Sequence, residues 1–151
     1  MPSPSWAGCV VPEELLYDVA ADVWVRVEDS EVVVGMTDVA QTRCGRIVQV
    51  TWKDPGRQVR RGRPLCVIES AKWVGPVLSP LSGLLVASNE ATFEQDPAVA
   101  NRDPYGLGWL VRLAPSNLED ERPLLVDGST AFVHYRQLVD TEGIRCFRCE
   151  E

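Results

Sequence analysis

Two side chains in this sequence carry a chemistry that its other basic residues lack. Of 15 basic residues only Lys53 and Lys72 are lysine, and the other 13 are arginine. A guanidinium stays protonated and is a poor nucleophile, so arginine supplies charge but not an acylatable amine. A coding preference for arginine accounts for the ratio, and it leaves the two lysines as the positions where an amine is available. Lys72 stands in Ile68-Glu69-Ser70-Ala71-Lys72-Trp73, between an apolar stretch and a segment broken by Gly75-Pro76. That pattern reads as the tip of a β-hairpin with the amine in solvent, where a modifying enzyme can grip the turn. Lys53 adjoins Asp54-Pro55-Gly56, a turn signal without those flanks.

The remaining reactive side chains are five cysteines and one histidine. Cys44 and Cys66 lie in apolar or helix-end contexts and read as small core residues. Cys146 and Cys149 form one C-x-x-C. A structural zinc site takes about four ligands, and only Cys9 and His134 remain to complete one, so no metal is expected. A redox pair, a thiol assisting a group attached to Lys72 and a plain mobile tail are the other readings, and the mobile tail is preferred. An odd cysteine count behind an N-terminus without a charged and apolar leader implies reduced thiols in the cytoplasm. His134 reads as a surface residue, and no catalytic triad can be built around it.

These residues need a scaffold, and the central sequence supplies short strands between turn signals. Strands are expected over 23–27, 31–36, 46–52, 65–68, 74–78, 84–88 and 109–113. A short helix capped by Thr37 is expected over 37–43, released by Gly45. Gly45-Arg46-Ile47-Val48 and Gly83-Leu84-Leu85-Val86 echo each other on either side of Lys72, as two halves of a flattened barrel would. Residues 115–123 read as a polar, acidic linker. Ser129 can cap a helix over 129–139, with Phe132, Tyr135, Leu138 and Val139 on one apolar stripe. The expected organisation is therefore a mainly β domain over 11–115 and an extension over 116–151, with short helices, a C-terminal helix and a mobile cysteine-containing tail. The net charge of −7 argues against nucleic acid and anionic membrane surfaces. No apolar run approaches the roughly 18 residues of a membrane span.

Several segments together resemble the H protein of the glycine cleavage system over roughly residues 11–115. They are Val34-Gly35-Met36-Thr37-Asp38-Val39-Ala40-Gln41, Gly45-Arg46-Ile47-Val48, Glu69-Ser70-Ala71-Lys72, Ser79-Pro80-Leu81-Ser82-Gly83, Asn89-Glu90, and Asn101-Arg102-Asp103-Pro104-Tyr105-Gly106-Leu107-Gly108-Trp109. The resemblance implies a hybrid barrel-sandwich fold of the lipoyl/biotinyl type, a covalent lipoate in amide linkage to Lys72, and a carrier that is not an enzyme. Biotin carriers of related fold usually have methionine on both sides of the lysine. Ala71 and Trp73 stand there instead, so lipoate is the implied group.

Departures from that pattern narrow the resemblance. Asp22-Val23 precede Trp24 where the family usually has His-Glu, and Trp73-Val74-Gly75-Pro76-Val77 replaces a run of small and acidic residues. Gly8-Cys9 shortly before Pro12-Glu13-Glu14-Leu15, with the sequence around Lys72, looks like the lipoate-binding proteins of heterodisulfide-reductase-like sulfur oxidation. That resemblance implies sulfur as cargo, and as partners a heterodisulfide-reductase-like complex and sulfur-transfer proteins. The alternative is the aminomethyl group of glycine cleavage, with glycine decarboxylase, aminomethyltransferase and dihydrolipoamide dehydrogenase. Either carrier needs a lipoate ligase or lipoyl transferase to load it.

Overall fold

The structure is a computed structural model that describes residues 3–149; Glu150 and Glu151 of the tail lie outside them. Its elements run β1 (Ser5–Trp6), β2 (Cys9–Val10), β3 (Leu16–Asp18), β4 (Val23–Glu28), β5 (Glu31–Met36), α1 (Asp38–Cys44), β6 (Ile47–Trp52), β7 (Gln58–Val59), β8 (Pro64–Ser70), β9 (Val74–Leu78), β10 (Gly83–Ser88), α2 (Glu90–Gln95), α3 (Val99–Arg102), β11 (Val111–Pro115), α4 (Leu118–Glu121), a 3-10 turn (Arg122–Leu124), β12 (Val126–Asp127) and α5 (Gly128–Glu142). The valine-rich runs of β4 and β5 form strands because β-branched side chains lose little freedom on a pleated surface and pack well there.

Seven strands make one antiparallel sheet in the order β12-β3-β4-β5-β11-β10-β7, and β6-β8-β9 make a second. Val25, Val34, Ile47, Ile68, Leu85 and Leu113 are buried in the core that the two sheets share. This is the barrel-sandwich architecture, mainly β with short helices. The alternation of β4 serves two cores at once. Val23 and Val25 enter the barrel, while Trp24 joins Tyr17, Val33, Ala131, Tyr135 and Val139 in a second cluster. That cluster is roofed by α5, so the C-terminal segment completes the molecule instead of hanging from it. Trp24 is fully buried, Trp52 and Trp109 are partly buried, and Trp73 is exposed.

Several expectations need correction. α5 starts at Gly128 and runs to Glu142. Its cap is Asp127, whose carboxylate accepts from the Thr130 N–H at 2.8 Å, while Ser129 donates its hydroxyl to the same carboxylate. A carboxylate two residues earlier serves the helix end as well as a hydroxyl does and also meets its positive pole. The stretch expected as a linker contains α4, whose Glu121 carboxylate accepts from both the N–H and the hydroxyl of Ser82. Helices α2 and α3 were not foreseen, and the strand expected from Trp109 begins at Val111.

Over 144–149 the expected mobile tail makes specific contacts with the body of the molecule, and the thiols are not all reduced. Cys146 forms a disulfide with Cys9, with Cα atoms 4.8 Å apart. The β1–β2 hairpin delivers Cys9 to this place. Trp6 donates to Asp140 of α5, and the Cys146 N–H donates to the Ala7 carbonyl. Farther on, the Cys149 N–H donates to the Asn101 carbonyl. Cys146 therefore pairs with Cys9 and not with Cys149 across the C-x-x-C. Among the described residues no helix is long and apolar enough to cross a membrane, and no cluster suits a metal ion.

Candidate functional site

β8 and β9 are joined by only three residues, 71–73, so Lys72 sits at the tip of the hairpin and is exposed. The turn is closed by the Ser70 N–H, which donates to the Trp73 carbonyl at 2.8 Å. The Ser70 hydroxyl is buried, donates to the Cys44 carbonyl at 2.7 Å and accepts from the Lys72 N–H at 3.3 Å. Ser70 thus pins the hairpin tip to the end of α1. Reading the sequence gave it no separate role. The available signal was its register: Cys66, Ile68 and Ser70 are all buried, so the hydroxyl belongs to the inward face.

The lysine stem lies against Gly45. A β-carbon there would come within 2.8 Å of Lys72 Cε. Gly45 also has φ +82° and ψ −171°, a backbone region that only glycine enters readily. Its N–H closes α1 onto the Gln41 carbonyl, and its carbonyl accepts from Asn101 Nδ2 at 2.9 Å. On the other side of the tip, the Trp73 ring covers Gly75 so closely that any β-carbon would strike it. Trp73 and Gly75 are therefore a matched pair that flattens the flank of the hairpin.

Beside the hairpin lies a cavity of about 380 Å³. Met36, Ala40, Val77 and Trp73 give it apolar walls, and its only charged lining residues are Asp22 and Arg43. Asp22 lies in the β3–β4 turn with φ +59°, a conformation that aspartate tolerates better than most residues. Its carboxylate accepts from Tyr135 Oη at 2.8 Å and faces Arg43 at 3.5 Å. Burial pushes the Asp22 carboxyl above the usual range, against the lowering effect of the Tyr135 hydrogen bond and of Arg43. Arg43 also reaches Glu142 at 3.3 Å. Tyr135 and Glu142 both belong to α5, so the extension holds the two charged residues of the cavity lining in place. Cys44 lines the same space, and burial raises its thiol above the ordinary value.

The other sequence-predicted residues lie apart from this site or serve packing. Lys53 is half-buried beyond the end of β6. Cys66 is a core residue, and burial pushes its thiol up to about 12. His134 lies on the exposed face of α5. Cys149 is half-buried and free.

A two-sheet barrel that presents one lysine on a three-residue hairpin beside a cavity defines a carrier domain of the lipoyl-bearing class. The chain belongs to the glycine cleavage H-protein family, whose model matches residues 15–137. It is 41% identical over 142 residues to glycine cleavage system H protein 2 of Aquifex aeolicus, covering 93% of this chain and 88% of that protein. It is 47% identical over 116 residues to the glycine cleavage system H protein of a Psychrobacter species, covering 76% and 90%. The crystal structure of a glycine cleavage system H protein from Mycobacterium marinum superposes with a TM-score of 0.71 at 29% identity, covering 89% of this chain and all of that one. Proteins of this family carry lipoate covalently on a lysine and are not themselves enzymes. The chain is accordingly a lipoate carrier.

Proposed function

We propose that Lys72 is the lipoylated residue and that the loaded protein shuttles a sulfur cargo between enzymes in the cytoplasm. The residues fit the group: the Lys72 amine is exposed at a pinned hairpin tip, and the adjacent cavity is mostly apolar. Bound lipoate supplies a dithiol/disulfide couple on a tether. The protein supplies everything else by position. Ser70 fixes the tip, Gly45 leaves room for the lysine stem, and the Trp73–Gly75 pair keeps the flank low. The redox cofactors and the acids and bases belong to the partner enzymes.

One observation carries the choice of cargo. The cavity offers no free anion to hold a protonated amine, because its one carboxylate already accepts from Tyr135, faces Arg43, and is disfavoured as an anion by burial. An ammonium buried without a counter-charge is costly. A sulfur cargo has no such requirement. The partners on this reading are a loading ligase or transferase, a heterodisulfide-reductase-like complex and sulfur-transfer proteins.

The second reading, an aminomethyl carrier for glycine decarboxylase, aminomethyltransferase and dihydrolipoamide dehydrogenase, has the names of the relatives in its favour. Lipoylated protein supplied to a glycine decarboxylase assay, with an H protein of that system as control, separates the two. The sulfur reading expects turnover far below the control. It also expects a gain in mass of one sulfur on the Lys72 peptide after exposure to a persulfidated donor. Turnover equal to the control would establish the aminomethyl reading in its place.

A further inference from the structure

The disulfide lies far from the hairpin in sequence, yet the residues it secures converge on α1. Val10, next to Cys9, donates its N–H to Asp38 Oδ2 at 2.9 Å. Arg148, two residues after Cys146, grips the same carboxylate at 3.2 Å. Between them, the Phe147 carbonyl accepts from Gln41 Nε2 at 2.8 Å. Asp38 is the first residue of α1 and is buried, as is Gln41. The same helix places Ala40, Arg43 and Cys44 in the cavity wall and ends at Gly45 against the Lys72 stem. Two terminal straps thus clamp the helix that forms the wall of the site, and Cys9–Cys146 locks the straps to each other.

We infer that the Cys9–Cys146 bond is a redox clasp that governs the stiffness of α1, and through it the cavity and the root of Lys72. Disulfides in cytoplasmic proteins are mostly transient or redox-sensing, which suits a bond placed where opening has a consequence. A small dithiol opens it: the dithiol gives up two electrons and closes to a cyclic disulfide, and its two protons end on the Cys9 and Cys146 thiols. With the covalent tie gone, the tail keeps its place by hydrogen bonds alone. When it lifts, the buried Asp38 carboxylate loses the Arg148 guanidinium, and Gln41 loses the Phe147 carbonyl. Losing charge-assisted partners at a buried group loosens the element that carries it.

This inference takes its meaning from the assignment of Lys72 as the loaded residue, but its test does not depend on loading. Hydrogen exchange is followed on the unlipoylated Lys72→Arg protein, oxidised and then reduced with dithiothreitol, and on Cys9→Ser/Cys146→Ser. The expected result is amide exchange about tenfold faster in α1 and in residues 144–149 after reduction or in the double variant, with β4 and β5 unchanged. Alkylation of Cys44, mapped by peptide, should accelerate in the double variant alongside. Arg148→Met keeps the disulfide and removes one grip, and should give a smaller acceleration confined to α1. Two results would overturn the proposal: alkylation of both Cys9 and Cys146 in the unreduced protein, or α1 exchange that reduction leaves untouched. Neither bears on whether Lys72 accepts lipoate, which intact mass on the wild-type chain decides separately.

Discussion

Gly45→Ala asks whether the site is built by backbone or by side chains. At φ +82° and ψ −171° an L-residue is strained, at a cost of about 1–3 kcal/mol. The backbone has little room to relax, because the Gly45 N–H is bound to Gln41 and its carbonyl to Asn101. Alanine also restricts the unfolded chain, which returns about 0.4–1 kcal/mol. The net expectation is a loss of about 1–2 kcal/mol, a shift of melting temperature of roughly 3–6 °C for a chain this size. The new methyl also meets Lys72 Cε, but that is the far end of a flexible side chain and can swing away cheaply. Urea unfolding at constant slope measures the loss, and combining Gly45→Ala with Lys72→Ala completes a double-mutant cycle. If backbone strain dominates, the cost persists in the double variant. A cost that vanishes without Lys72, or a single variant within about 0.3 kcal/mol of wild type, would refute the argument.

Lys72→Arg should keep stability within about 0.5 kcal/mol while abolishing loading, as intact mass will show; a lipoyl adduct on Lys53 would sink the site assignment. Asp22→Asn tests the buried carboxyl through the pH dependence of stability. Because folding raises the Asp22 pKa, its penalty is absent at low pH and grows as pH climbs above the ordinary aspartate value of about 4. Asparagine can still accept from Tyr135 and tolerates positive φ, so the variant should gain on wild type between acid and neutral pH in parallel urea titrations. Parallel curves across that range would count against a strained carboxyl.

The parts of this molecule legible in its sequence are those decided locally. The valine runs of β4 and β5 declare their strands, Thr37 declares the cap of α1, and the turn residues around Lys72 declare its place at a hairpin tip. What escaped was decided by partners distant in sequence. The two-residue strands β1, β2, β7 and β12 exist only through the strands they pair with. The Cys9–Cys146 pairing joins residues 137 apart, and five cysteines in one chain allow ten pairs. The cavity collects the β3–β4 turn, α1 and β9, with Asp22 and Arg43 held by two side chains of α5, none of which points to the others in sequence. Asp22 stood out only as a departure from a family pattern, and its hydrogen bond to Tyr135 depends on where α5 docks.

The long span of the disulfide has a bearing on how the protein comes to be made. On the ribosome Cys9 emerges 137 residues ahead of Cys146, a wait of some 7–27 s at about 5–20 residues per second. The whole of both large sheets, and the lysine hairpin within them, is translated in that interval. Every new chain therefore starts with its terminal straps untied and with the Lys72 hairpin already translated. Closure of the Cys9–Cys146 bond can therefore only follow translation of every strand of the two sheets.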